Sequence, residues 1–400
     1  MIERPRPIEQ SPASIFLRFL RFGLLAWGGP VAQIGMIKRE LVEEERWLKP
    51  PRFNRLLAIY QILPGPETHE LCVHLGMLKG GRLGGFLAGL GFMLPGLVLI
   101  LGLAWAYQRL DVRDPLVAAL LLGAQAGVIA LIVRAVHRIA DHALTDRWLW
   151  AIAIASAVAT TAGISFWIVL PAAGLAYSAA SSARFGLAAL VVAAGGVAAW
   201  VVGTLLPGSQ IDGAAAAGVV PGTVGTLVLF LSGLKAGMLT FGGAYTAIPF
   251  VRADAVGRGW VSDGQFLDGL ALSGVIPAPL IIFATFIGYI AGGLAGALAM
   301  TAGIFLPAFA FTLLFYDRLE RVVEDQRLHG LLAGVAAGVV GLIMFTTLQL
   351  GSNLTRSAPS LPAVMAIFGG ALALLYVWRS KLAVPAVILA SACAGTAILR

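Results

Sequence analysis

Thirteen apolar stretches account for most of this 400-residue chain, at about 16–37, 54–77, 84–107, 115–136, 148–162, 166–180, 185–206, 226–250, 266–290, 294–316, 329–350, 361–378 and 382–399. A helix needs about 20 apolar residues to cross a bilayer core, with a range of about 17–25. Most of the stretches reach that length, and 148–162 and 166–180 fall just short. Charged residues make up only 12% of the chain and hydrophobic ones 59%, whereas a soluble domain carries about 25% charged residues. So little polar surface cannot cover a water-soluble globule of this size, which excludes an ordinary soluble enzyme and a disordered chain. With only Cys72 and Cys393 there is no disulfide framework. The expected fold is an all-α polytopic membrane protein. The N-terminus is polar through Pro12, and Arg18 and Arg21 interrupt the apolar run that follows, a poor pattern for a cleavable signal peptide. A net charge of +8 is in keeping with membrane orientation and implies no nucleic-acid partner.

Within these stretches the chain repeats itself. Trp27-Gly28-Gly29 recurs as Phe241-Gly242-Gly243, 214 residues later, and Trp47 with Phe53 recurs as Trp260 with Phe266, 213 later. Pro64-Gly65-Pro66 recurs as Pro277-Ala278-Pro279. Gly76, Gly80-Gly81, Gly84, Gly91 and Leu94-Pro95 recur 212 later as Gly288, Gly292-Gly293, Gly296, Gly303 and Leu306-Pro307. Glycine is common in membrane helices, but abundance does not account for a shared register. The organisation expected is a tail at 1–13, a first repeat at 14–206, a linker at 207–224 (Pro207, Gly208, Pro221 and Gly222) and a second repeat at 225–400. Duplicated halves are a signature of secondary transporters.

Lysine and arginine orient the halves. If the first two stretches of each half are broken hairpins that enter and leave on one side, 21 of the 28 Lys/Arg share the cytoplasmic face; if all of them cross fully, 17 do. Both arrangements place an odd number of crossings before the second half. The expectation is therefore two inverted-topology repeats, with broken or re-entrant helices at the start of each and a cytoplasmic N-terminus.

The repeated breaks are the candidate site. Glycine costs about 1 kcal/mol in a helix relative to Ala, and proline about 3. Freed backbone groups at membrane depth persist only where protein or a wet cavity satisfies them, and the N-termini of broken helices attract anions. Substrate-binding residues are therefore expected among Gly28, Gly29, Gln61, Pro64, Gly65, Pro66, Gly242, Gly243, Pro277 and Pro279. Arg21 aligns with Lys235, and a cation in the same place in both halves points to an anionic substrate. Lys38-Arg39-Glu40 matches Arg252-Ala253-Asp254, either as gate-closing ion pairs or as solvated loop charges. Glu67, Glu70 and His74 fall on one helical stripe suited to relaying a proton. His69 and His74 are five apart rather than the four that a zinc-protease helix needs, so no metal is expected.

These residues resemble the chromate ion transporter family in its two-domain long form. The resemblance is carried by Phe22-Gly23 with Gly28-Gly29-Pro30, by Gln61-Ile62-Leu63-Pro64-Gly65-Pro66-Glu67, and by Gly80-Gly81 with Leu94-Pro95-Gly96. In the second half it rests on Leu239-Thr240-Phe241-Gly242-Gly243-Ala244-Tyr245, Asp268-Gly269-Leu270-Ala271-Leu272 and Gly288-Tyr289. The resemblance implies proton-motive-force-driven efflux of chromate, a tetrahedral dianion, across a bacterial inner membrane, and the phenotype of chromate resistance. The partners expected are chromate or a similar oxyanion such as sulfate, protons and the lipid bilayer, with a homodimer admissible and no cofactor. The chain departs from the family where Pro277-Ala278-Pro279 replaces Pro-Gly-Pro, which leaves other oxyanions open. An uncoupled anion channel is the alternative function. A membrane-embedded enzyme is disfavoured, because no nucleophile–base or ligand spacing is present.

Overall fold

Glycine and proline decide where the first helices of each half stop. Gly28 at φ +87° and Gly29 at φ +77° occupy backbone conformations that other residues rarely adopt, so the apolar stretch 16–37 is two short helices, α1 (Pro12–Leu24) and α2 (Gly29–Ile37). The computed structural model describes residues 11–181, 224–323, 326–378 and 380–399, with a few positions between 186 and 195. Residues 1–10, most of the 185–206 stretch and the expected linker as far as 223 lie outside them. The described residues are almost wholly helical, with 14 helices and no strand.

The first half continues from α2 through a π-helical segment, Lys38–Glu44, to α3 (Pro50–Ile62), α4 (Glu67–Tyr107), α5 (Pro115–Ala143), α6 (Arg147–Thr161) and α7 (Phe166–Ser181). The second comprises α8 (Thr226–Met238), a 3-10 turn at Ala244–Ala247, α9 (Ile248–Ala255), α10 (Asp263–Val275), a 3-10 turn at Leu280–Ile282, α11 (Phe283–Val323), α12 (Gln326–Ser357), α13 (Leu361–Val377) and α14 (Ala383–Ile398). Among the described residues, four helical segments are long and apolar enough to cross a membrane: Glu67–Tyr107, Pro115–Ala143, Leu280–Phe315 and His329–Ser357.

The 41-residue elements α4 and α11 are folded in two. Gly80 (φ −136°, ψ 19°) and Gly81 (φ 61°, ψ −158°) reverse α4. Gly292 (φ −144°, ψ 21°) and Gly293 (φ 63°, ψ −159°) reverse α11 through nearly the same angles. The Thr285 and Thr301 hydroxyls are 2.7 Å apart, whereas sixteen residues of straight helix would separate them by about 24 Å. In α4 a β-carbon at Gly76 would sit 2.5 Å from the Gly84 carbonyl oxygen, and one at Gly85 would sit 2.9 Å from that of Val73. Only glycine lets the arms of such a hairpin lie this close. The segments before them fold back as well. Arg21 of α1 reaches Glu40 beyond α2, and Tyr60 of α3 reaches His74 of α4.

Equivalent long arms of the two halves pack antiparallel, with Gly85 against Leu313 and Gly89 against Phe309. The halves also exchange helices, since α5 packs on α14 and α12 on α7. Both crossings depend on glycine pairs. A β-carbon on Gly123 would meet the Gly395 Cα at 2.8 Å, and one on Gly334 would meet the Gly174 Cα at 2.8 Å. Such close approach between small residues is how helices associate without a hydrophobic driving force. One apolar cluster joins α4 and α5 to most of the second half, and a separate cluster, with Phe19, Phe22, Phe53 and Phe92 fully buried, holds α1 to α4.

Candidate functional site

The breaks of the two halves meet. Pro64 and Phe241 form an isolated antiparallel bridge, and the Gly65 N–H donates to the Thr240 carbonyl at 2.8 Å. The unwound backbone of one half is thus satisfied by that of the other, as low-dielectric surroundings demand. The reciprocal contact runs through Gln33, whose amide donates to the Ala26 carbonyl at 2.9 Å and to that of Ala278 at 3.3 Å.

Ala278 marks the chain's departure from a Pro-Gly-Pro repeat, and the structure shows what accommodates it. The Ala278 methyl faces Gly96 of α4; in the other half the roles are exchanged, with Gly65 facing the methyl of Ala308. One methyl fills each contact, supplied by the break in one case and by the long arm in the other.

Beside this junction lies a cavity of about 480 Å³. Gly28, Gly29, Gln61, Glu67, Gly242 and Gly243 line it. Pro64, Gly65, Pro66, Pro277 and Pro279 do not; they shape the backbone behind it. α2 begins at the wall with no side-chain cap. The start of α4 carries its own carboxylates, Glu67 and Glu70, in its first turn, which makes that N-terminus a poor place for an anion.

Arg21 and Lys235, expected to supply the positive charge, are placed elsewhere. Arg21 is exposed and pairs with Glu40 at 2.9 Å; Lys235 pairs with the buried Asp254 at 2.5 Å and lies over the Phe166 ring. Glu40 and Asp254 are themselves 214 residues apart, so the register that links the two cations also links their partners. The duplicated charge is a pair of ties between α1 and the turn after α2, and between α8 and α9. Ser232 and Arg258 add contacts to Asp254.

The charge at the cavity comes instead from α5. Arg134, Arg138 and His142 are four residues apart, hence on one helical stripe, and all three line the wall. Ending the apolar stretch at 136 assigns Arg138 and His142 to a loop; the helix in fact runs to Ala143, and the four-residue spacing is the signal that identifies the stripe. Thr145, Tyr177, Tyr245 and His329 add further polar groups to the lining.

Glu67 lies at the cavity, with the Gln61 side chain against its carboxyl and His142 near enough to act on its charge. Glu70 is fully buried one turn on, and neither of its carboxyl oxygens has a hydrogen-bond partner among the described residues. His74 is also buried, its Nδ1 2.6 Å from the Tyr60 hydroxyl. The expected stripe is therefore a line running from the cavity wall into the packed interior.

Comparison with known proteins follows this geometry. The chromate transporter family model matches residues 13–179 and again 227–396. The chain belongs to the chromate transporter family. It is 60% identical to a chromate transport protein of Pseudomonas aeruginosa, over 97% of this chain and 93% of that one. It is 30% identical to a chromate transport protein of Cupriavidus metallidurans, over 95% and 92%. No solved structure gives a significant match. Family membership makes the chain a transporter rather than an enzyme, and with the long apolar helices it makes it a multi-pass membrane protein.

Proposed function

We propose that this protein exports chromate, or a related oxyanion such as sulfate, across the bacterial inner membrane by alternating access, driven by the proton motive force. The observation that carries this reading is the cavity itself, where the Gly-Gly breaks of both halves face three basic side chains of α5. A volume of about 480 Å³ would hold on the order of fifteen waters at ~30 Å³ each. An oxyanion would enter with part of its hydration shell and exchange it for Arg134, Arg138 and the backbone N–H groups at the start of α2. Arginine suits this role because its planar fork matches oxyanion geometry.

The halves are read as inverted copies occupying about 14–206 and 225–400. Arg134 and Arg138 share the N-terminal face with the Lys/Arg-rich segment 38–55, and the excess of positive charge there supports a cytoplasmic N-terminus. The cavity would then open inward, as loading for export requires. Glu67 is the proposed proton carrier at the cavity. Glu70 and His74 extend the line inward, and a buried carboxyl without a partner is costly as an anion. A proton taken up on Glu67 as the anion leaves would couple the two fluxes.

The test is flux of radiolabelled chromate and of sulfate in proteoliposomes with an imposed pH gradient. Uphill movement is expected, with the apparent affinity falling at least tenfold in Arg134→Gln/Arg138→Gln. Strictly downhill flux would identify an uncoupled channel, and unchanged affinity in the double variant would remove α5 from the site.

A further inference from the structure

The two faces of the molecule differ although the halves repeat. α5 aligns with α12 at an offset of 211, as Leu120–Gly127 (LLLGAQAG) and Leu331–Gly338 (LLAGVAAG) show. Cavity residues of α3 and α5 therefore have counterparts in α10 and α12, and several of those counterparts are packed shut. Ala58 is exposed at the cavity, while Ala271, 213 residues on, is 4% exposed. Ile139 and Ala143 line the cavity; Leu350 and Leu354, 211 residues on, are 0% and 4% exposed.

Polar ties hold the packed face. Asp263, at the start of α10, accepts hydrogen bonds from Arg252 at 2.8 Å and from Asn353 at 2.7 Å. Five residues along the same helix, Asp268 accepts from Tyr107 at 2.7 Å and from Gln125 at 2.8 Å. Arg252 also donates to Gln349 at 2.7 Å. α10 is thereby fastened to α9 and α12 of its own half and to α4 and α5 of the other. Gln349 and Asn353 lie at one end of α12 and the cavity residue His329 at the other, about 30 Å apart at 1.5 Å per residue.

The equivalent positions on the open face cannot make these ties. Asp263 and Asp268 correspond to Pro50 and Arg55, Arg252 to Lys38, and Gln349 and Asn353 to Arg138 and His142. Three of those positions, Lys38, Arg55 and Arg138, hold cations and none holds a carboxylate, and like charges resist closing.

We propose that the ties of Asp263 to Arg252 and Asn353, and of Asp268 to Tyr107 and Gln125, are the closed gate of the face opposite the cavity, and that α10 moves when this gate opens. The proposal rests on the transport reading above. It assigns positioning roles to residues far from the cavity, and it makes α10 and α3 the counterpart doors of the two faces.

The test reads accessibility without any substrate. Single cysteines at Ala58→Cys and Ala271→Cys, in a Cys393→Ser background, are labelled in vesicles of defined sidedness with a membrane-impermeant maleimide. In the otherwise native protein Ala58→Cys should label from the cavity face, and Ala271→Cys should resist labelling from the opposite face. In Asp263→Asn/Asp268→Asn, labelling of Ala271→Cys should rise at least tenfold. Continued protection of Ala271→Cys, in a variant whose Ala58→Cys labelling shows it folded, would overturn the proposal. Should that variant fail to fold, Asp263→Cys/Asn353→Cys bridged by a short bis-methanethiosulfonate, each cysteine thiolate forming a disulfide as it displaces methanesulfinate, decides the matter. Flux should then fall below a tenth and return when the bridge is reduced, whereas undiminished flux through the bridged protein would refute the gate. A gate that responds in the labelling assay, in a protein that moves neither oxyanion, would sink the substrate assignment and leave the gate standing.

Discussion

Replacing Lys235 by alanine separates a substrate cation from a structural one. Its Nζ lies 2.5 Å from Asp254 Oδ2, with side-chain exposures of 16% and 3%. At an effective dielectric of about 20, that separation corresponds to roughly 6–7 kcal/mol of attraction before desolvation. Burial of both groups offsets most of it, but removing one partner leaves the other buried and uncompensated, which costs about 3–5 kcal/mol. Ser232, at 2.6 Å, and Arg258, at 3.4 Å, remain as partners for Asp254, so about 2–4 kcal/mol is expected for Lys235→Ala. Arg21→Ala is the internal control. Its ion pair with Glu40 has the same place in the repeat, but the Arg21 side chain is 63% exposed, and exposed pairs contribute about 0–1 kcal/mol. Thermal unfolding in detergent should therefore show a large loss for Lys235→Ala, a small one for Arg21→Ala, and substantial recovery in Lys235→Ala/Asp254→Ala. Chromate flux per folded molecule should persist in that double variant. A stable Lys235→Ala protein that has lost substrate affinity would refute the reasoning and return Lys235 to the binding site.

Three further outcomes are expected. Gly96→Ala should destabilise the protein by about 1–3 kcal/mol through overpacking, because its new methyl would collide with that of Ala278; Gly96→Ala/Ala278→Gly should recover most of the loss, since Gly65 and Ala308 already make that arrangement, and unfolding of the three variants checks it. Arg46 is held at φ 53° where the repeat has Gly259 at φ 69°, so Arg46→Gly should raise stability by about 0.5–1 kcal/mol, measurable as a higher unfolding midpoint. Glu67→Gln should flatten the dependence of flux on an imposed pH gradient while leaving downhill exchange, and unchanged coupling would remove Glu67 from the proton path.

Much of the fold was legible in local signals. Glycine weakens a helix through its own backbone freedom, so Gly28-Gly29 and Gly242-Gly243 announced breaks, and Gly80-Gly81 and Gly292-Gly293 announced turns without any knowledge of what they pack against. The Lys/Arg count favoured returning hairpins for a similar reason, because charge must stay at a membrane surface. The site was less legible. Arg21 and Lys235 looked like a matched pair of binding cations because the register between halves is visible in the chain. Their partners Glu40 and Asp254 were equally visible, but pairing is a property of distance rather than of register.

Hydrophobicity, the offsets of 212 to 214 residues, and the glycine and proline that break helices are all carried by residues one at a time. The amino-acid sequence alone therefore determined a membrane-embedded helical protein built from two copies of one unit. Which cations face a cavity, which carboxylates tie helices together, and which of two equivalent faces is shut depend on contacts between residues far apart in the chain. A single substitution between copies, such as Asp268 for Arg55, gives one face a lock that the other lacks. Only the folded arrangement, in which Tyr107 and Gln125 of one half reach Asp268 of the other, turns that difference into a tie between the halves.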